Sequence, residues 1–581
     1  MMCMEQILNQ TAIPSKLLIL IALLQGLALL GLHQTIELDI WPYHHPDWLF
    51  ALYAVVIGGP LVLLLGLNDT NLKPLFAWTG AYSLILAGLG FYVGRQAQPI
   101  ADVGEQVLLP GLAITLAIAS FKALMYLQQG LAQGSFRHLQ YPALFLHSWR
   151  NFLTLGLALG FTLSVWLVLM LWAALFDAVG IKFFEALFTS HWFYYPILAM
   201  ALGLGISLLR RQSTIIDTIV HIQQLLVKWL LVMLVLVSAL FLVTLPFTGL
   251  EPLWQSGGST LILWMLALML FFVNSVYQAE TEATVYPRWL HRLIYSGLAL
   301  MPLYSLVSAY GLYLRVEQYG WSVSRCWAVL IWLLLSLFSL GYFWQILRRR
   351  DHWLIGLCKV NVPMGKIVLL AMLLVNSPLL NFLQISADSQ MARLEQGKVT
   401  ISDFDFSYFR HQLAGPGYQA LQQIKADYAD SHPEVVVRID ALYQLHQDET
   451  VVPSAVQLSQ VIKGVENTVP EALMTAIVAH LQADTWRLAQ NSGYYLKTLD
   501  LDGDGQQDYL LIEENDYSPA FTLFYFDQGV WLKQPLDWHN RHQQSSGQDL
   551  IEAIKASDFE LILPRWKQIR VKDLTLYSTP E

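Results

Sequence analysis

The chain reads as a polytopic α-helical membrane protein of about 11 TM helices with a C-terminal soluble α+β domain. Three observations predict this. Of 581 residues, 55% are hydrophobic and only 13% charged, whereas a soluble domain carries about 25% charged residues. The mean hydropathy is +0.46, and the apolar residues are gathered in long blocks. From Ile385 onward the composition reverses, with roughly twenty-eight acidic residues against fifteen basic ones, so the tail holds essentially all of the net charge of −9.

A membrane-crossing helix needs roughly 20 predominantly apolar residues. In chain order, spans are expected at Leu17–His33, Trp48–Leu67, Leu75–Val93, Val107–Leu127, Phe152–Phe176 and Trp192–Leu209. Five more are expected at Leu225–Phe247, Ser259–Gln278, Leu293–Leu314, Cys326–Leu347 and Lys366–Leu383. The leader Met1–Lys16 carries one Lys and one Glu and no small-residue cleavage site follows, so the first span is expected to stay as a signal anchor. Ile181–Thr189 is apolar but too short to span, and reads as an interfacial or re-entrant helix. Ionisable residues inside spans mark ion or proton pathways by default. Here they are nearly absent: Lys122 and Lys228 lie near span ends, where their stems can carry the ammonium to the interface.

Loop charges predict orientation through the excess of basic residues on the cytoplasmic side. With the N-terminus cytoplasmic, the inner loops collect about thirteen basic residues, among them Arg137, Arg150, Arg210, Arg211, Arg348 and Lys359. The outer loops collect about four: Arg95, Lys182, Arg315 and Arg325. An odd number of spans then places the tail outside, the periplasm in a Gram-negative cell, and makes the protein a multi-pass component of a bacterial inner membrane.

The expected divisions are a multi-span region over residues 1–384, a helical juxtamembrane region over 385–485 and a small β-rich domain over 486–581. Ala387–Gly397, Gly417–Tyr428 and Glu471–Ala483 carry helical apolar spacing. Tyr494–Leu499, Tyr509–Ile512, Phe521–Phe526 and Val530–Lys533 are short β-rich runs, with Ile569–Tyr577 as a last strand. The acidic tail excludes nucleic-acid binding, which needs a basic face, and electrostatic adhesion to anionic lipid. The three cysteines, Cys3, Cys326 and Cys358, lie outside the tail, so no disulfide framework supports it and no zinc-type cysteine spacing exists.

The most specific motif is Asp500-Leu501-Asp502-Gly503-Asp504-Gly505-Gln506-Gln507-Asp508. Asp500, Asp502 and Asp504 stand at positions one, three and five of a calcium loop, Gly505 at the sharp turn, Gln506 where a backbone carbonyl is supplied and Asp508 at position nine. Position twelve is Leu511 rather than a bidentate Glu, and the flanks read as strands. The motif therefore predicts a structural Ca2+ that pins a β-turn, against the plainer reading of an Asp-Gly turn that binds nothing.

Three weaker constellations remain. The first outer loop holds Glu37, Asp39, His44, His45 and Asp47 between apolar spans; carboxylates and imidazoles there suit a catalytic base or a transition metal, or merely a solvated interfacial loop. A polar strip runs through Asn274, Tyr277 and Gln278 on one span and Tyr304, Ser305, Ser308 and Tyr310 on the next. Beyond it lie Arg315, Glu317, Gln318, Tyr319 and Arg325, an anion site through bidentate guanidinium bonds or a place where the tail docks. Asn376, Pro378 and Asn381 predict a bend near the end of the last span.

Several segments resemble the bacterial membrane-protein family catalogued as domain of unknown function 4153. They are Ser148-Trp149-Arg150-Asn151 leading into Leu155-Gly156-Leu157, Leu245-Pro246-Phe247-Thr248-Gly249-Leu250 and Asn274-Ser275-Val276-Tyr277-Gln278. Leu314-Arg315-Val316-Glu317-Gln318-Tyr319-Gly320 and Phe404-Asp405-Phe406-Ser407-Tyr408-Phe409-Arg410 belong to the same set. The resemblance begins at about Arg137, and Gly415-Pro416-Gly417 departs from the more basic, aromatic stretch expected at that position. It implies an inner-membrane protein with a glycine-rich Asp loop in its outer domain, and supplies no catalytic residues. Three functions fit: a cell-envelope binding or assembly component that meets anionic lipid or envelope proteins, an outer-leaflet enzyme on lipid-linked substrates resembling a glycosyltransferase, and a transporter.

Overall fold

The computed structural model describes residues 13–100, 102–137, 139–250, 258–277, 286–444, 458–459, 461–464, 469–483, 493–515, 519–538, 547–561, 569–571 and 574–576. The leader's first twelve residues, Gln278 and Tyr577 lie outside them. The chain forms two compact units, Met1–Arg393 with Gln412–Pro416, and Leu394–His411 with Gly417–Glu581.

Among the described residues of the first unit, ten helices are long and apolar enough to cross a membrane. A further apolar helix, Gly258–Val276, has 19 residues. Together they answer to the eleven expected segments, and the protein is a multi-pass membrane protein. Two boundaries differ from expectation. The last helix runs Leu354–Val375 rather than Lys366–Leu383. It ends where the Asn376 amide turns back to the Met372 carbonyl and to Thr115 Oγ1, and where Pro378 disfavours a helical residue before it. The segment expected at Leu293–Leu314 is two helices, Arg288–Ala299 and Met301–Tyr319, because Pro302 lacks the N–H that a continuous helix needs and suits a first turn. The short apolar segment forms Phe183–Thr189. Its Phe184 and Phe188 rings pack on Trp172 of the preceding helix at 5.3 and 5.8 Å.

Close packing in this unit relies on small residues. Helix Leu72–Arg95 meets helix Pro46–Gly66 through Gly90 and Gly94, spaced four apart. A Cβ at Gly94 would lie 2.2 Å from the Pro46 carbonyl oxygen, and one at Gly90 2.7 Å from that of Phe50. Such small-residue pairs let backbones approach where lipid offers no hydrophobic drive for association. The C-terminus of Pro46–Gly66 is closed by Arg210, which donates to the Leu64 and Leu67 carbonyls at 2.8 Å each and to Asn68 Oδ1 at 2.7 Å. Carbonyls that a helix end leaves unpaired thus receive a charged donor.

Along the chain, helices Phe406–Gln412, Ala414–Asp427 and Pro433–Gln444 precede the five-stranded sheet of the second unit. The strands are β1 Ile462–Lys463, β2 Gly493–Leu499, β3 Asp508–Glu514, β4 Ala520–Asp527 and β5 Val530–Leu536, in spatial order β1-β2-β3-β4-β5. β1 pairs parallel to β2, and the remaining neighbours are antiparallel. β3 is buried on both faces. Leu510 and Ile512 cluster with Phe521 and with Ile551 of helix Gly547–Ala556. On the opposite face His480 of helix Glu471–Gln482 meets Glu513 Oε1 at 3.3 Å and the Phe524 ring. The expected last strand is a hairpin, β6 Ile569–Val571 with β7 Leu574–Leu576. The four β-rich runs and the three tail helices lie where the pattern placed them, to within a few residues.

The Gly94 contact yields a test. Replacing Gly94 by Leu forces the two helices apart, and overpacking of this kind costs about 1–3 kcal/mol. A Cβ at Gly31 meets nothing within 4 Å. Gly94→Leu is therefore expected to lower the melting temperature of the detergent-solubilised protein while Gly31→Ala does not, read by differential scanning fluorimetry.

Candidate functional site

The Asp-rich segment is the hairpin that joins β2 to β3, with Leu499 paired to Asp508 at its base. The strand-like flanks expected from sequence are therefore present, and Leu511 sits fully buried in β3. Gly503 and Gly505 take φ of +77° and +82°, values in the left-handed region that glycine adopts without strain. These two turns fold the loop over its own carboxylates. The Gly503 N–H donates to Asp500 Oδ1 at 2.7 Å and the Gly505 N–H to Asp500 Oδ2 at 3.1 Å. Asp502 accepts from the Asp504 N–H at 3.1 Å, and Asp504 from the Gln506 N–H at 2.7 Å.

Asp500, Asp502 and Asp504 each bring a carboxylate oxygen within 4.8 Å of the other two. Hard oxygen donors so gathered suit Ca2+. Asp508 stands apart from that group: it is buried, and its Oδ2 accepts from the Leu501 N–H at 2.9 Å. Burial first, and then the charges of Asp502, Asp500 and Asp504, hold its carboxyl above the ordinary range.

The basic cluster faces its own chain. The Arg325 guanidinium donates to the Tyr319 and Gly320 carbonyls at 3.2 and 2.8 Å. Arg315 and Arg325 both lie over the Tyr319 ring, at 5.8 and 5.3 Å. The Gln318 carbonyl accepts from Arg393 at 2.7 Å and that of Tyr319 from Gln390 at 2.9 Å. Both donors come from helix Phe382–Glu395. The turn after Tyr319 is thus a seat for the C-terminal half of that helix.

The loop between the first two spans does not gather into one site. His44 Nε2 pairs with Asp39 at 3.2 Å among exposed side chains. His45 and Asp47 open helix Pro46–Gly66, where Asp47 accepts from the Trp48 N–H. Glu37 joins two residues that sequence reasoning passed over: His191 Nδ1 at 2.6 Å and His33 Nε2 at 3.5 Å. The spacing of His33 and Glu37, four apart on one helix, was a readable signal. The approach of His191 was not.

The polar strip resolves into separate interhelical ties. Tyr304 Oη donates to the Ser238 carbonyl at 2.7 Å, Ser305 pairs with Ser336, and Tyr277 pairs with His291. Asn274 is the centre of the largest tie. Its Oδ1 accepts from Tyr141 Oη at 2.7 Å and from Asn361 Nδ2 at 2.5 Å. Its Nδ2 donates to Tyr342 Oη at 2.9 Å, which donates on to Asn361 Oδ1 at 2.6 Å. Asn274 and Asn361 also form part of the wall of a cavity of ≈ 570 Å³, together with Lys122, Gln223, Trp149 and Phe271. Most of that wall is apolar, with a few convergent polar groups, as ligand cavities tend to be.

The family model described as "Domain of unknown function (DUF4153)" matches residues 18–424. The match begins well before Arg137, so the first spans belong to the shared region, contrary to expectation. It ends before the sheet of the second unit. No curated protein and no solved structure matches the chain.

The Asn274 tie predicts a coupled loss. Interhelical side-chain bonds in membranes average about 0.6 kcal/mol and reach about 1.7. Asn274→Leu is expected at the upper end of that range because it strips partners from Tyr141, Tyr342 and Asn361 together. Asn361→Leu on top of it should add less than it does alone, as measured by a double-mutant cycle of unfolding in mixed micelles.

Proposed function

Because the chain belongs to the DUF4153 family, whose description assigns no activity, we propose a function from its own chemistry: a cell-envelope binding or assembly component whose outer domain is stapled by a structural Ca2+. The observation that carries this reading is the loop Asp500–Asp508, in which three carboxylates converge over two left-handed glycines between paired strands. Without a cation these charges repel one another. With one, the hairpin between β2 and β3 is pinned. Loops of this kind in extracellular modules bind at about 10⁻⁴–10⁻³ M, so the ion would be held in a calcium-rich compartment and lost in the cytosol. That agrees with the loop-charge argument for a periplasmic tail and a cytoplasmic N-terminus. The basic turn at Arg315 and Arg325 then serves to seat the juxtamembrane helix, and a role toward anionic lipid is secondary.

A second reading, a transporter or an enzyme on lipid-linked substrates, is favoured by the ≈ 570 Å³ cavity walled by Lys122, Asn274 and Asn361. Asp39 and Asp47 lend such chemistry less support, since Asp39 is paired with His44 and Asp47 opens a helix. Lipid retained by the wild-type protein in native mass spectrometry, and lost in Trp149→Ala, would favour this reading over the scaffold.

Millimolar Ca2+ is expected to slow hydrogen exchange of peptides spanning Gly493–Glu514 in the full-length protein, and Asp502→Ala to remove the effect. Equal exchange with and without Ca2+ in the wild type would refute the staple. The pH dependence has a definite sign. Asp508 binds its proton more tightly in the folded chain, so the metal-free domain loses stability as pH rises from the unfolded value near 3.9 through the raised folded value. Protons and Ca2+ compete, and the protection by Ca2+ should fade as pH drops into that window.

Orientation is tested separately. Cysteine placed at Gln528, in a variant lacking the native cysteines, is expected to react with an impermeant maleimide in intact cells with a permeabilised outer membrane. Labelling only after lysis would place the domain in the cytosol.

A further inference from the structure

The trio His33, Glu37 and His191 lies in the membrane unit and differs in donor chemistry from the three carboxylates of the Asp500–Asp508 loop. His33 and Glu37 are one turn apart on the same face near the C-terminus of helix Ser15–Glu37. His191 is the first residue of helix His191–Arg211. The two helices are held in register by small residues. A Cβ at Gly26 would lie 2.8 Å from the Tyr195 carbonyl oxygen, and one at Gly203 2.4 Å from Ala22 Cβ. All three donors therefore stand on packed helices rather than on a loop, which is how a precise site is positioned.

Their atoms form a triangle. His33 Nε2 is 3.1 Å from His191 Nδ1 and 3.5 Å from Glu37 Oε1, and His191 Nδ1 is 2.6 Å from Glu37 Oε1. Protons satisfy this triangle poorly. A proton on each facing nitrogen sets two N–H groups against each other, and a single proton leaves a lone pair facing a lone pair or a carboxylate. One divalent cation satisfies all three at once. Zinc bonds of about 2.0–2.1 Å in a tetrahedron put neighbouring donors roughly 3.3–3.4 Å apart. Two of the three edges lie within about 0.3 Å of that distance. The third opens by rotation of Glu37, whose side chain is 44% exposed.

We propose that His33, Glu37 and His191 bind a divalent transition-metal ion of the zinc class through two imidazole nitrogens and one carboxylate oxygen. Three protein ligands leave a fourth position for water or an incoming ligand, the arrangement of reactive rather than purely structural zinc sites. The His33 and His191 side chains are 24% and 38% exposed, so that position is reachable. The rings of Tyr195 and Tyr194 stand close by, 5.4 Å from His33 and 5.5 Å from His191. Imidazole and carboxylate donors together select zinc, cobalt or nickel over calcium and magnesium.

The test is titration of the tag-free, full-length protein in detergent with Co2+, followed by Zn2+. One Co2+ per chain is expected, with visible absorption bands that Zn2+ abolishes and millimolar Ca2+ leaves in place. His33→Ala and His191→Ala should each weaken binding by more than the roughly 10–100-fold that loss of an outer-sphere partner causes. Glu37→Gln keeps the side-chain size and reads the same loss if either alanine variant fails to fold. His44→Ala and Asp502→Ala should bind as the wild type, which separates this site from the calcium staple. Absence of stoichiometric Co2+ in the wild type, displacement by Ca2+, or unchanged affinity in the His33→Ala/His191→Ala double variant would overturn the assignment.

Discussion

A polar group inside a membrane-spanning bundle has no water to fall back on, and the Asn274 amide answers that constraint for four helices. Asn274, Tyr342 and Asn361, from three separate helices, close a cycle of amide and phenol hydrogen bonds, and Tyr141 of a fourth helix donates into it at Asn274 Oδ1. Slipping any one of these helices by a residue breaks at least one of the bonds and leaves a buried polar group to bear its desolvation penalty. The cycle therefore sets register where apolar side chains are indifferent to it. It also draws Gly258–Val276, an apolar helix at the short end of the spanning range, into the bundle. The same amides form part of the polar lining of the cavity, so the element that orders the helices is also one a bound molecule would meet.

The N-terminal half solves the same problem by other means. Gly90 and Gly94 bring two backbones together, and the charge of Arg210 is absorbed by helix-end carbonyls. An arginine in the last turn of an apolar helix, as Arg210 is, invites a functional reading. Its three acceptors explain it as a cap. The scarcity of ionisable groups within the spans has the same meaning. Where such groups do gather, as His33, Glu37 and His191, they sit at helix ends and face each other.

Much of this was legible in the chain. Spans announce themselves by composition, and β2 through β5 as short β-rich runs. The Asp loop was placed correctly between strands because its missing position-twelve Glu coincides with Leu511, a residue that belongs to a sheet interior. Helix Pro433–Gln444 was missed because Val435, Val436 and Val437 carry no helical preference, and tertiary burial of Val435, Val437 and Ile439 decides the outcome. The partner of Glu37 was hidden for a different reason: His191 lies over 150 residues away, and only the packing of two helices brings it near. Grouping Glu37 with Asp39 and His44 followed proximity in sequence, whereas a helix end turns neighbours onto different faces.

The sheet's two margins have a consequence for how the molecule behaves among copies of itself. An open strand edge is a template on which another chain can add. β1, at one margin, is only two residues long. β5, at the other, exposes Val530 and Leu532 yet carries Lys533 and then Pro535, a charge and a missing N–H in successive alternate positions. A strand arriving at either side finds too few partners to hold. Contacts of this domain with another chain are therefore favoured through side chains rather than by extension of its sheet.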